Sequence, residues 1–94
     1  MNNIENEMEK VFGELGFTPI MINDIRFMKI KESYCKLTYI NEWNAYVIES
    51  ADNYEEAKKG ILEDGDLYDA NMPVEELLKE LRKELINDFV GIKI

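Results

Sequence analysis

Histidine is absent from the 94 residues, and cysteine occurs once, at Cys35. The first absence removes the usual general base near neutral pH and the commonest metal ligand. The second removes any disulfide within the chain. No apolar run exceeds a few residues, so a transmembrane span is not expected. No positively charged opening segment with an apolar core follows the first methionine. Together with the lone cysteine, this reads as a cytoplasmic protein. No internal repeat, linker or low-complexity segment divides the chain, and its length suits one domain, residues 1–94.

Bases are scarce as well. Eleven Lys and Arg face 20 Asp and Glu, for a formal charge of −9. The excess is uneven: residues 1–50 carry a net −3 and residues 51–94 a net −6. Within Glu49 to Glu76, ten acids meet only Lys58 and Lys59, which leaves −8 in 28 residues. Such a surface repels nucleic acid and anionic lipid and speeds encounter with a basic protein. Its plainest role is to keep the chain solvated. A hydrophobic fraction of 46% and an aromatic fraction of 11% supply enough apolar surface for an ordered core.

The periodicity changes twice. Ile4, Met8, Val11, Phe12 and Leu15 form one helical stripe, predicting a helix from Asn3 to Leu15 with Asn2 or Asn3 as cap and a stop at Gly16 and Pro19. From Pro19 the runs IMIN, IRFMKIK, YCKLTYI and AYVIES are rich in β-branched and aromatic residues. Short breaks at Asn23-Asp24, Glu32-Ser33 and Asn41 to Asn44 predict an antiparallel meander of three or four strands, the first being the weakest. In the third strand Cys35, Leu37 and Tyr39 fall on one face and Tyr34, Lys36 and Thr38 on the other, so one face meets the core. Ser50 or Asp52 can cap a second helix, with Tyr54, Ala57 and Ile61 inward and a stop near Asp64-Gly65. The stretch GDLYDANMP reads as a loop leading to a third helix from about Pro73, whose apolar face is Val74, Leu77, Leu78, Leu81, Leu85 and Phe89. The tail VGIKI suits an edge strand or a loose end. The expected architecture is therefore α+β: an N-terminal helix, the meander, and two C-terminal helices packed on one face.

Chemistry is thin. Cys35 sits mid-strand, where a free cysteine is a small core residue and not a nucleophile. Paired carboxylates across a cleft are not expected in so small a domain. Asp64, Asp66 and Glu75 match positions 1, 3 and 12 of a calcium loop, but Tyr68 and Asp69 occupy positions 5 and 6, where a ligand and a glycine belong. Phosphate-cradling loops and basic, aromatic-interleaved patches are missing too. No catalytic residue, metal site or cofactor is assigned, and the chain is not read as an enzyme.

What remains is a recognition surface organised by Tyr46 to Tyr68. Tyr46 and Tyr54 suit packing, whereas Trp43 and Tyr68, placed in turns, are as readily exposed anchors as buried ones. The candidate partner-binding set is Trp43, Asp64, Asp66, Tyr68 and Asp69.

The stretch WNAYVIESADNYEEAKKGILEDGDLYD followed by EELLKELRKELINDF resembles the small acidic immunity proteins encoded beside bacterial polymorphic or contact-dependent toxins. The resemblance covers the second half of the chain. It implies a non-enzymatic antitoxin that binds a cognate protein toxin through an acidic surface, the toxin presenting a basic active-site region, with no nucleic-acid or membrane partner. An alternative of another class is an acidic mimic of DNA that inhibits a host or phage defence nuclease.

Overall fold

A computed structural model describes residues 3–91. The first helix, α1, spans Asn3–Glu14 and buries Met8, Val11 and Phe12 as its stripe requires. It ends where Gly16 adopts φ 98°, and the N–H of Phe17 bonds back to the carbonyl of Phe12 at 3.0 Å. The side chains of the expected caps Asn2 and Asn3 lie outside the described residues.

Five strands follow, against an expected three or four: β1 Thr18–Ile22, β2 Ile25–Ile30, β3 Ser33–Ile40, β4 Ala45–Ala51 and β5 Glu63–Asp69. They form one antiparallel sheet in the order β1-β2-β3-β4-β5. Asn23 and Asp24 both take positive φ, 52° and 66°, the two-residue turn whose twist matches a hairpin. Lys31 and Glu32 close the next hairpin, and residues 41–44 the third, with Asn44 at φ 48°.

The fifth strand is the segment expected to be the end of a helix and a loop. The second helix, α2, spans only Tyr54–Lys59. Asn53 caps it, accepting the N–H of Glu56 at 2.9 Å, in place of the expected Ser50 or Asp52: Ser50 is still within β4, and a helix that starts at Tyr54 puts Asn53 at the capping position. Gly60 ends it at φ 77°, with Ile61 N–H bonded to the Glu56 carbonyl, so the stop falls five residues before Gly65. Ile61 is thereby outside the helix and exposed, and only Ala57 of the expected stripe is buried. The freed chain, Glu63 onward, extends beside β4.

The third helix, α3, spans Val74–Leu85, starting where expected, although Val74 of its expected face is exposed; it runs into a π-helical turn at Ile86–Val90 that holds Phe89, where Gly91 N–H reaches the Ile86 carbonyl at 2.8 Å. Leu77, Leu81 and Leu85 are fully buried. Of the expected tail strand, Val90 belongs to that turn, and residues 92–94 lie outside the described residues.

Both faces of the sheet carry a core. On the first, α1 and α3 lie together over Met28, Cys35, Tyr46, Ile48 and Tyr68. Phe17 joins this core, its ring edge-on to Phe12 with centroids 5.0 Å apart. On the second face, Ile22, Phe27, Tyr34 and Ala51 gather under Ala57 of α2. The two C-terminal helices therefore pack on opposite faces, not on one. Both faces of β3 therefore meet a core where one was expected: Cys35 is buried on the first and Tyr34 on the second, where Tyr54 of α2 meets it edge-on at 6.2 Å.

Candidate functional site

Strand β5 reads EDGDLYD, four acids and no base in seven residues, and lies at an edge of the sheet. A bulge between Val47 and Glu49 of β4 shifts its register. The shift leaves Gly65 and Asp66 opposite the single residue Ile48 before pairing resumes at Glu49–Asp64, and a side chain of α3 reaches the strand there. Glu84 is the side chain that does so. It is only 8% exposed, yet accepts a hydrogen bond from the phenol of Tyr68 and another, at 3.3 Å, from the backbone N–H of Asp66.

Burial pushes the Glu84 carboxyl above its ordinary range; the bonds from Tyr68 and Asp66 oppose this, and the neighbouring charges of Asp66 and Asp88 reinforce it. Burial likewise raises the Tyr68 phenol, helped by its bond to Glu84. Gly65 is required here: a Cβ would collide with the Glu84 carboxylate and sit 3.1 Å from the Ile48 carbonyl.

Around Glu84 the surface is concave. A cleft of about 420 Å³ runs between β5 and the π-helical turn, with Asp52, Glu63, Asp64 and Asp88 in its walls. A second of about 220 Å³ adjoins it beside Asp66 and Glu80, and Glu84, Asn87 and Asp88 line both. Lys83 is the one base among these linings.

A larger cleft, about 580 Å³, lies elsewhere, between α1 and the β1–β2 hairpin. Its charges are paired with each other: Arg26 with Glu9 at 3.2 Å, and Lys10 with Glu7 at 3.3 Å. The remaining ion pairs among the described residues join Lys36 to Glu49 and Arg82 to Glu14. None takes an acid from β5 or from the two clefts at Glu84. Volume favours the first cleft, but acids outside the ion pairs are concentrated on β5 and in the clefts beside it, and charge outside an ion pair is what an external partner meets.

The candidate residues divide. Asp64, Asp66 and Asp69 are exposed, on a strand and not on a loop. Trp43 is 64% exposed in the β3–β4 turn, and the bond from Ala70 N–H to the Asn44 carbonyl brings that turn against the end of β5. Trp43 and Asp69 thus share one end of the surface, and Asp64, paired with Glu49, lies toward the other. Tyr68 does not belong with them. It is 3% exposed and faces the core beside Tyr46, because strand alternation turns it inward between Leu67 and Asp69. Glu84 is one of twelve acids in the second half and is absent from the candidate set; its signal in the sequence is a glutamate three residues after Leu81 and one before Leu85, on the apolar stripe of α3.

Cys35 is fully buried, and its thiol is pushed up to about 12 by burial, with Glu84 and Asp88 adding to the effect. A thiol so held is not a nucleophile near neutral pH. Among the described residues no cluster of three or more His, Cys, Asp or Glu is arranged to hold a metal ion. No helix among them is long and apolar enough to cross a membrane. No protein-family model matches the chain, and no curated protein or solved structure resembles it significantly.

Proposed function

We propose that the chain is a non-enzymatic immunity protein, which binds a cognate bacterial toxin in the cytoplasm and masks a basic region around the toxin's active site. One observation carries the reading: the exposed acids of β5 and its clefts stand outside every ion pair among the described residues. A field of one sign, held on a strand between a buried Glu84 and an exposed Trp43, suits fast encounter with a basic surface followed by aromatic anchoring. The DNA-mimic alternative needs carboxylates in rows, one charge per ~1.7 Å of duplex axis. A single acidic strand edge favours the compact patch of an antitoxin.

The test is capture from the native host with the tagged chain, followed by co-expression with the captured protein. A toxin whose growth arrest is relieved by this chain supports the proposal. Capture of a restriction or defence nuclease, displaced by duplex DNA, replaces it with the mimic.

A further inference from the structure

The sheet has two edges, and they are guarded differently. In β1–β2 the turn residues Asn23 and Asp24 sit between the opposed pair Ile22 and Ile25. A two-residue turn makes that pair hydrogen-bonded, and alternation makes Ile20–Phe27 and Thr18–Lys29 hydrogen-bonded too. Pro19 and Met21 then direct their backbone groups outward. Pro19 has no N–H to offer, so this edge refuses an added strand of any charge.

At the other edge the parity follows from Ala70 N–H bonding the Asn44 carbonyl. Residues 44 and 70 are opposed and hydrogen-bonded, so Tyr46–Tyr68 is hydrogen-bonded and Val47–Leu67 and Ala45–Asp69 are not. Leu67 and Asp69 therefore point their N–H groups away from β4, as Leu67 does its carbonyl; the Asp69 carbonyl already accepts Met72 N–H at 3.0 Å. No proline interrupts this edge, and among the described residues no strand pairs with its outer side. Its guard is charge alone. Two copies of β5 side by side would set eight carboxylates against one another, which excludes self-pairing; a basic strand meets no such barrier.

We propose that the partner docks by adding an extended, basic strand to the outer edge of β5. Resting on the antitoxin reading, this names the kind of segment the partner presents. It would bond to Leu67 N–H and C=O and to Asp69 N–H. On the first face its basic side chains would lie beside Asp66 and Glu80, which share one cleft. On the second face an apolar side chain would cover Leu67, 51% exposed next to buried Val47.

The probe is the blocked peptide Lys-Thr-Lys-Val-Lys-Thr-Lys, titrated to millimolar concentration into the whole chain and followed by amide NMR. Its control carries Pro in place of Val, with the same charge. The expected result is that the valine peptide gives the largest shifts at the Leu67 and Asp69 amides and slows their exchange with solvent, while the proline peptide does neither. Equal effects of both peptides would reduce the contact to charge attraction and overturn strand addition, leaving the acidic surface as the binding site. Shifts confined to other residues, or no shifts, would overturn it as well. The antitoxin reading fails separately, if no toxin is captured or relieved.

Discussion

The phenol of Tyr68 donates its hydrogen bond to the carboxylate of Glu84, joining edge strand β5 to α3 from inside the core. Glu84 also accepts Asp66 N–H, so one buried carboxylate fixes two positions of the strand that carries the exposed acids. Hydrogen bonds to charged groups contribute about 1.5–3 kcal/mol, and Tyr68→Phe removes one without emptying the site. We expect a loss of stability in that range, read as a lower urea midpoint at unchanged slope.

Gly65 lies against the same carboxylate. A methyl at this position must displace the end of Glu84, which is tethered to Tyr68 and Asp66, and crowds the Ile48 carbonyl at 3.1 Å. Gly65→Ala is expected to cost about 1–3 kcal/mol, as overpacked sites do. Adding Glu84→Ala should make the double variant less unstable than the sum of the two single ones, a coupling that a thermodynamic cycle measures. Relief is incomplete because the backbone contact with Ile48 stays.

The raised Glu84 carboxyl has a defined signature in pH. Between its ordinary value of 4.5 and the raised value in the fold, the folded chain holds a proton that the unfolded chain has lost. Unfolding free energy therefore falls as pH rises through that window, and the contribution is fully present below 4.5. Glu84→Gln has no such proton, so its stability should decline less steeply between pH 4.5 and neutrality. Parallel curves for the two proteins would contradict the assignment.

Helices α1 and α3 and the meander were legible because apolar residues recur at helical spacing in the two helices, and because runs rich in β-branched and aromatic residues are cut by short polar breaks in β2 to β4. What escaped was β5. Its run EDGDLYD has one acid after another where strands usually carry β-branched residues, and a strand held by one neighbour, a bulge and a buried glutamate shows no two-residue pattern. Reading Gly65 as a helix stop hid the actual stop at Gly60. With the stop at Gly65, Tyr68 reads as a loop residue, where an aromatic suggests an anchor; on a strand its parity with Tyr46 sends it inward. Asp64, Asp66, Asp69 and Trp43 were visible as charge and aromatic surface, but their shared edge depends on the pairing of β5 with β4.

Leu81 occupies the centre of the first core, fully buried between α1 and the sheet. Leu81→Ala should cost about 2–5 kcal/mol, the range for a buried leucine. Chemical denaturation checks it. An unchanged midpoint would mean that the α3 stripe is a docking face and not core.

The contact surface makes a kinetic prediction once the captured partner is available. Exposed carboxylates act mainly through the field that guides approach, whereas a desolvated aromatic acts mainly on release. Asp66→Asn combined with Asp69→Asn should slow association and flatten its dependence on salt, with little change in dissociation. Trp43→Ala should instead speed dissociation by an amount worth ~2 kcal/mol or more if the indole is an anchor of the interface. Tyr68 is excluded from that role by its burial, so Tyr68→Phe, which keeps the ring, should leave dissociation close to that of the parent wherever the chain is folded. The control neutralises Glu55 and Glu56 on α2, two acids outside the ion pairs among the described residues and outside the linings of the clefts at Glu84. Stopped-flow binding across a salt series separates the cases. A control pair that slows association as much as the β5 pair would make the charge a diffuse steering field, with no assigned edge.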